Sequence, residues 1–397
     1  MRTEASGDRR RSRRVALVTA AAVGLLALGG CAAASEAPPA PPSASPNVAA
    51  AAEGALPAAL VSELAAALDE VMAAHDVPGA VAGVWLPGEG TWQTAAGLAD
   101  IDSGEPTTTD MSWPLRSVTK SYTVTLLLQL GDDGAISLDD TIGTYVDGVT
   151  DGDRITLRQL AGMSSGNADY TNDDFLAEFT SDPTRLYSLD DLNAFMLGKP
   201  AQFAPDARHV YTNANTNLLG AVIEQVTGRP YAEVLEERIL EPLGLDDTRY
   251  VVDAATWTEP HASGYGPDAT PREPMPQNFS IFGPAGAMVS TLDDSRVWAE
   301  ALATGALVDA ATQTERTQGA PLDAGPPYGQ YALGIGETDG WWGHNGEGFG
   351  FTSAVFHHPA TGATIVVFTN ESNLPDHAHP ADQAFRRLAQ VLATAAD

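Results

Sequence analysis

The chain has 397 residues, with 21 Lys and Arg set against 52 Asp and Glu for a formal net charge of −31 at pH 7. A surface this acidic repels polyanions, so no nucleic-acid partner is expected. Cys31 is the only cysteine, so the fold holds without a disulfide inside the chain.

Arg9, Arg10, Arg11, Arg13 and Arg14 precede an apolar run from Val15 to Gly30. As a helix that run rises only about 24 Å, short of the roughly 30 Å hydrocarbon core of a bilayer. Residues 1–30 therefore read as an export signal and not as a span. The run ends Leu28-Gly29-Gly30-Cys31, which resembles a bacterial lipobox and implies a lipidated Cys31 and a membrane-anchored lipoprotein on the extracytoplasmic side. The plainer alternative is an ordinary cleaved signal beside a chance cysteine. Ser12-Arg13-Arg14-Val15-Ala16-Leu17 also resembles a twin-arginine signal. Residues 31–56, including Ala37-Pro38-Pro39-Ala40-Pro41-Pro42, have little to bury and read as an extended tether.

The body, residues 57–397, is long enough for a large core or two lobes. Leu60, Val61, Leu64, Leu68, Val71 and Met72 share one stripe of an amphipathic helix. Gly79–Leu86 and Trp92–Leu98 read as strands around a Pro87-Gly88 turn. Val118–Leu130, with Tyr122, Val124, Leu126, Leu127, Leu128 and Leu130, is apolar all round and describes a buried central helix. A further helix is expected over Thr216–Val226. Phe351–Phe356 and Ala363–Thr369 read as a hairpin through Pro359-Ala360-Thr361-Gly362, and Phe385, Leu388, Val391 and Leu392 as the buried side of a last helix. Strands from both ends of the body imply an α+β fold: one antiparallel β-sheet flanked by terminal helices, with an inserted mostly helical domain. Residues 57–145 and 281–397 form the sheet-bearing part and 146–280 the helical part.

Only two lysines, Lys120 and Lys199, stand among nineteen arginines. A position that keeps lysine against that bias needs something a guanidinium cannot give, namely loss of its proton when desolvated. Lys120 follows Ser117 by three residues, so amine and hydroxyl share a helical face. A buried helix lowers the amine's pKa, and a neutral amine can serve as the base that turns serine into a nucleophile. Ser117 also stands where a helix N-terminus favours developing negative charge. The bland alternatives are a helix N-cap for Ser117 and a paired core charge for Lys120, the latter costly inside a buried helix.

Two further groups bear chemistry. Tyr211-Thr212-Asn213 places a phenol and a carboxamide two apart in an extended segment, able to serve as a proton relay and a donor to a substrate amide. Gly343-His344-Asn345-Gly346-Glu347-Gly348 lies directly before the strand from Phe351, and its glycines allow a substrate backbone to approach a sheet edge closely. His357-His358 and His377-Ala378-His379 lack metal-ligand spacing, and no metal is expected. Trp341-Trp342 suits either a cleft wall or hydrophobic packing.

Together, Ser117-Val118-Thr119-Lys120, Tyr211-Thr212-Asn213 and His344-Asn345-Gly346 resemble the S-x-x-K, Y-x-N and H-x-G motifs of the serine β-lactamase and penicillin-binding protein superfamily. The likeness is to exported D-alanyl-D-alanine carboxypeptidases and class C-like serine hydrolases, and it covers roughly residues 75–395. Ile155–Leu160 with Ser164-Ser165-Gly166, Asp169-Tyr170-Thr171-Asn172-Asp173 and Gly286–Thr291 resemble family segments as well. The resemblance implies an acyl-enzyme on Ser117, with Lys120 and Tyr211 moving protons and Asn213, joined by Asn215, orienting the acyl chain. It also implies an oxyanion hole made by the backbone N–H groups of Ser117 and Glu347, with no cofactor. By the same likeness Tyr170 and Phe282 line the cleft.

The chain departs from the carboxypeptidases at Asn345 and Glu347, where they carry hydroxyls, and it has no arginine between Arg316 and Arg386. If the Glu347 carboxylate faces the cleft, it repels an anionic substrate. That favours an amide or ester with a neutral or cationic leaving side, beside the D-alanyl-D-alanine carboxypeptidase the resemblance implies. An esterase or a β-lactamase of the same fold is the alternative. No class A-like deacylating glutamate is apparent, so penicillin should be released slowly. A non-catalytic binding lipoprotein would be expected to lack Ser117, Lys120 or Tyr211, and all three are present.

Overall fold

In the computed structural model, residue 48 and residues 54–395 are described, save 267–271, 273, 276 and 373–378. The export signal, Cys31, most of the tether and His377 lie outside the described residues. Among those residues, no helix is long and apolar enough to cross a membrane.

The apolar stripe from Leu60 to Met72 forms helix α1 (Ala58–His75), which buries Leu64, Ala67, Leu68 and Val71. Strands β1 (Gly79–Leu86) and β2 (Gly90–Asp100) follow, then the short β3 (Glu105–Pro106) and β4 (Trp113–Pro114). β2 is longer than its apolar core because β1 pairs with it from Gly79–Gly97 to Leu86–Gly90, and ladder bonds can order residues of low strand propensity. The central helix α2 (Thr119–Asp132) is buried from Thr119 to Leu130 without interruption. A 3₁₀ turn, Arg116–Val118, leads into it.

The middle of the chain carries helices α3 (Leu157–Ala161), α4 (Asp173–Ser181), α5 (Leu189–Ala194), α6 (Asn213–Thr227), α7 (Tyr231–Leu235) and α8 (Glu241–Leu243). α6 starts three residues before the apolar pattern and stops at Gly228, whose left-handed backbone ends it. Strands β5 (Arg249–Tyr250) and β6 (Met288–Ser290) join β4 in a three-stranded sheet ordered β4-β6-β5. This sheet ties the residues before Ser117 to those after Ala285. Helices α9 (Leu292–Thr304) and α10 (Ala310–Arg316) come next.

The main sheet is completed by β7 (Gln330–Tyr331), β8 (Gly336–Thr338), β9 (Trp341–Gly348), β10 (Phe351–His358) and β11 (Ala363–Thr369), ahead of helix α11 (Pro380–Ala395). Its order is β3-β2-β1-β11-β10-β9-β8-β7, and every pair is antiparallel. The period-two alternation assigns the faces: Ile365 and Val367 pack with α1 and α11, while Val366 and Phe368 pack with α2 and α9. The second of these cores continues through α6 and α7 without a break. Each large apolar side chain buried there contributes about 1.5–3 kcal/mol.

Candidate active site

Ser117 lies in the 3₁₀ turn just before α2 and is partly exposed, whereas Lys120, one turn on, is fully buried. The Lys120 Nζ donates to Ser117 Oγ at 2.9 Å, to Asn213 Oδ1 at 2.8 Å and to the Ala285 carbonyl at 2.9 Å. Burial lowers its pKa from 10.5 to about 7, and the Asp169 carboxylate acts the other way. A large share of the amine is therefore neutral near pH 7, with the Ser117 hydroxyl in hydrogen-bond reach to give it a proton.

Tyr211 presents its ring 5.0 Å from Lys120 Nζ. Burial holds its pKa well above 10, with Tyr331 and Tyr328 adding to the rise and the Ser117 hydroxyl opposing it. The phenol stays protonated, with a hydrogen to give. The extended-segment rationale for Tyr211 and Asn213 does not hold, because Thr212 caps α6 and Asn213 is its first helical residue. The two side chains converge on Lys120 all the same. Asn213 uses its carbonyl on Lys120 and its Nδ2 on Asp169, at 3.4 Å. Asn215 faces elsewhere: it is buried and holds the Ser165–Asn167 loop through Ser165 Oγ at 2.7 Å and Asn167 Nδ2 at 3.2 Å.

On β9, His344 and Gly346 point to the α2 side and Asn345 and Glu347 to the α11 side, as their β10 partners show: Val355 and Ser353 face α2, Ala354 and Thr352 face α11. A Cβ built on Gly346 would stand 2.4 Å from the Leu115 carbonyl, 2.5 Å from Ser353 Oγ and 2.8 Å from the Ser117 nitrogen. Only glycine lets β9 come this close to the nucleophile. His344 is buried between Tyr328 (Oη–Nδ1 3.3 Å) and Tyr331 (Oη–Nε2 3.1 Å). Burial, with Lys120 adding, drops its pKa to about 3, so it is a neutral strut near the site. Asn345 accepts from Tyr328 Oη at 2.7 Å and donates to Asp382 of α11 at 3.1 Å.

Glu347 carries a correction. Its carboxylate pairs with His379 at 2.6 Å, at the start of α11, so the condition for repelling an anionic substrate on the Ser117 side is not met. Strand alternation, not the residue's charge, decides this. Trp341 packs against Phe385, with ring centroids 5.7 Å apart, behind the sheet; of the two readings, packing is the observed one. His357 bonds Thr364, and among the described residues no three His, Cys, Asp or Glu side chains cluster to hold a metal. Tyr170 is buried and bonds the Ile281 carbonyl, while Phe282 is partly exposed beside Gly348.

Asp169 entered the sequence reading only at the head of the family-like segment Asp169–Asp173, with no role attached. Its Oδ2 accepts from the Asn213 N–H at 3.0 Å and its Oδ1 from the Thr171 N–H at 3.2 Å. Beside that resemblance, its local signal is that of a short polar residue opening a turn ahead of the Asn172 cap of α4. Arg116 was missed as well. Its φ of +51° is left-handed, a conformation that costs a side chain roughly 1–2 kcal/mol.

Comparison with known proteins agrees with this geometry. The family model described as Beta-lactamase matches residues 64–389. A D-aminopeptidase of Brucella anthropi is 31% identical over 294 residues, 70% of this chain and 54% of that protein. A D-aminopeptidase of Brucella canis is 31% identical over 315 residues, 76% of this chain and 58% of that protein. The chain thus spans little more than half the length of these relatives. Among solved structures, a D-stereospecific amidohydrolase from Streptomyces sp. superposes with a TM-score of 0.70 at 29% identity, over 81% of this chain and 96% of that one. The D-amino acid amidase from Ochrobactrum anthropi SV3, solved with L-phenylalanine amide, gives a TM-score of 0.74 at 25% identity, over 86% of this chain and all of that one. The chain belongs to the Beta-lactamase family, the serine hydrolases of the β-lactamase and penicillin-binding fold.

Proposed function

We propose that the chain hydrolyses the amide bond of D-amino-acid amides and short D-peptides that carry a free amino group, through an acyl-enzyme on Ser117. The observation that carries this reading is the Asp169 carboxylate, held beside Asn213 and close enough to Lys120 to act on its charge. A carboxylate on the acyl side of the nucleophile suits a substrate ammonium. The relatives named above act, by their names, on D-configured amino compounds. A D-alanyl-D-alanine carboxypeptidase would need a cation for the substrate's terminal carboxylate. Arg116 lies enclosed under aromatic rings and Arg386 is engaged by Asp382 at 2.7 Å, which favours the aminopeptidase or amidase reading.

The chemistry follows from the geometry. Neutral Lys120 takes the Ser117 proton as Oγ attacks the carbonyl carbon. The oxyanion forms where Gly346 brings β9 against the Ser117 N–H, and the Ser117 and Glu347 N–H groups stabilise it; one such donor is commonly worth about 2.7–4 kcal/mol. Tyr211 relays the proton from Lys120 to the leaving nitrogen, the C–N bond breaks, and ammonia or an amine departs. Water then attacks the Ser117 ester by the reverse proton path and frees the D-amino acid. Export and lipid anchoring through Cys31 remain part of the proposal and concern residues outside those described.

The test is ammonia release from D-phenylalanine amide by the full chain, compared with L-phenylalanine amide and with D-alanine release from an acylated D-alanyl-D-alanine peptide. A preference for the D-amide that is lost in Ser117→Ala supports the reading. Turnover of the acylated peptide alone would move it to a carboxypeptidase.

A further inference from the structure

Arg116, the residue before the nucleophile, has three features that each disfavour folding. Its backbone is left-handed at φ +51°, where glycine is at home. Its side chain is 1% exposed, and burial alone brings its pKa down to about 9, with no carboxylate among the described residues to offset it. Its Nη1 has no hydrogen-bond partner among the described residues. A strained backbone holding a buried, unpaired cation next to a nucleophile points to a role in the site.

The side chain's actual contacts give that role. The guanidinium lies 4.4 Å from the ring centre of Phe282, 4.8 Å from Phe279 and 5.3 Å from Phe351, aromatic faces that hold it as a cation. Its Nε donates to the Gly348 carbonyl at 3.0 Å and its Nη2 to Gln277 Oε1 at 3.2 Å. Gln277 Nε2 in turn donates to the Phe349 carbonyl at 2.7 Å. Gly348 is the last residue of β9, and Phe349 opens the turn into β10. The fork therefore runs from the residue just before Ser117 to the residue just after Glu347. Those two residues carry the N–H groups that must converge on the oxyanion.

We propose that Arg116 is a positioning residue for the oxyanion site: its guanidinium clamps the β9–β10 turn to the nucleophile turn and so fixes the separation of the Ser117 and Glu347 N–H groups. The proposal rests on Ser117 being the acylated nucleophile. Lysine cannot substitute, since a point charge cannot span two acceptors and stack between rings as a planar fork does.

The test compares the wild-type full chain with Arg116→Gly, which removes the clamp and suits the backbone, Arg116→Lys, which keeps the charge, and Gln277→Ala, which removes one arm. Two rates are read. One is phosphonylation of Ser117 by a fluorophosphonate probe, which needs the nucleophile and the oxyanion site but no particular amide. The other is kcat and KM on D-phenylalanine amide, well below each variant's melting midpoint. Both Arg116 variants should lose roughly tenfold or more in phosphonylation rate and kcat, with KM nearly unchanged, and Gln277→Ala should lose less. A merely structural arginine would lower the melting midpoint and leave the folded enzyme's kcat intact. Folded Arg116 variants within twofold of wild type would overturn the proposal. If neither folds, a wild-type rate in Gln277→Ala does the same. A wild type labelled at Ser117 but inactive on the amide rejects the substrate reading and leaves the clamp measurable; a wild type not labelled at Ser117 rejects both.

Discussion

Replacing Gly346 by alanine tests the central geometry of the site with one carbon atom. The added Cβ would meet the Leu115 carbonyl at 2.4 Å, Ser353 Oγ at 2.5 Å and the Ser117 nitrogen at 2.8 Å. Two of these are backbone atoms, and the Leu115 carbonyl is already fixed by Ser353 Oγ at 2.7 Å. Ordinary contact begins near 3.4 Å, so β9 must retreat by about 1 Å, carrying the Glu347 N–H away from the Ser117 N–H. A displacement of that size costs about 10²-fold in rate, and losing one oxyanion donor costs about 10²–10³-fold. Overpacking costs about 1–3 kcal/mol of stability, too little to unfold a large core. The assay is kcat and KM for D-phenylalanine amide beside a thermal melt. The expected result is a folded protein with kcat down at least 10²-fold and KM changed far less. A folded Gly346→Ala enzyme with wild-type kcat would refute the convergence of β9 on Ser117.

Three other outcomes follow from the same geometry. Lys120 must be neutral to accept the Ser117 proton and its pKa is lowered to about 7, so kcat should fall as pH drops below 7, and Lys120→Arg, which stays charged, should be inactive at every pH. Asp169 raises that pKa. Asp169→Asn should therefore move the acid limb of kcat to lower pH while raising KM for an amide with a free amino group by roughly tenfold or more, and an N-acetylated D-amide should show no such KM change. Because Glu347 faces His379, Glu347→Gln should leave the charge preference of the leaving group unchanged; a gain for anionic leaving groups would return its carboxylate to the cleft.

What could be read from the chain divides along physical lines. Long periodic segments were legible: α1 from its stripe, α2 from all-round apolarity, and β10, β11 and α11 from alternation and helical spacing. Short strands such as β7 and β8 lacked enough residues to show a period and are set by their neighbours, β8 by β9 and β7 by β8. Ser117 and Lys120 were legible because their chemistry is local in sequence, whereas Tyr211 and Asn213 took their roles from the family resemblance; the structure brings all four together. Asn215 was misplaced because a two-residue step in a helix turns the side chain away. Glu347 was misjudged because charge was weighed before strand direction. The role of Asp169, quoted only within a family-like segment, and that of Arg116 were missed for one reason: each works through contacts 44 or more positions away in the chain, to Asn213 and to Gly348, and a single sequence carries no trace of such pairings.

The most direct measurement is intact mass and peptide mapping of the full chain, quenched in acid during turnover of D-phenylalanine methyl ester, with Ser117→Ala alongside. The account predicts a D-phenylalanyl adduct on the peptide containing Ser117 in the wild type and none in the variant. An adduct on another residue, or turnover by Ser117→Ala, would contradict it.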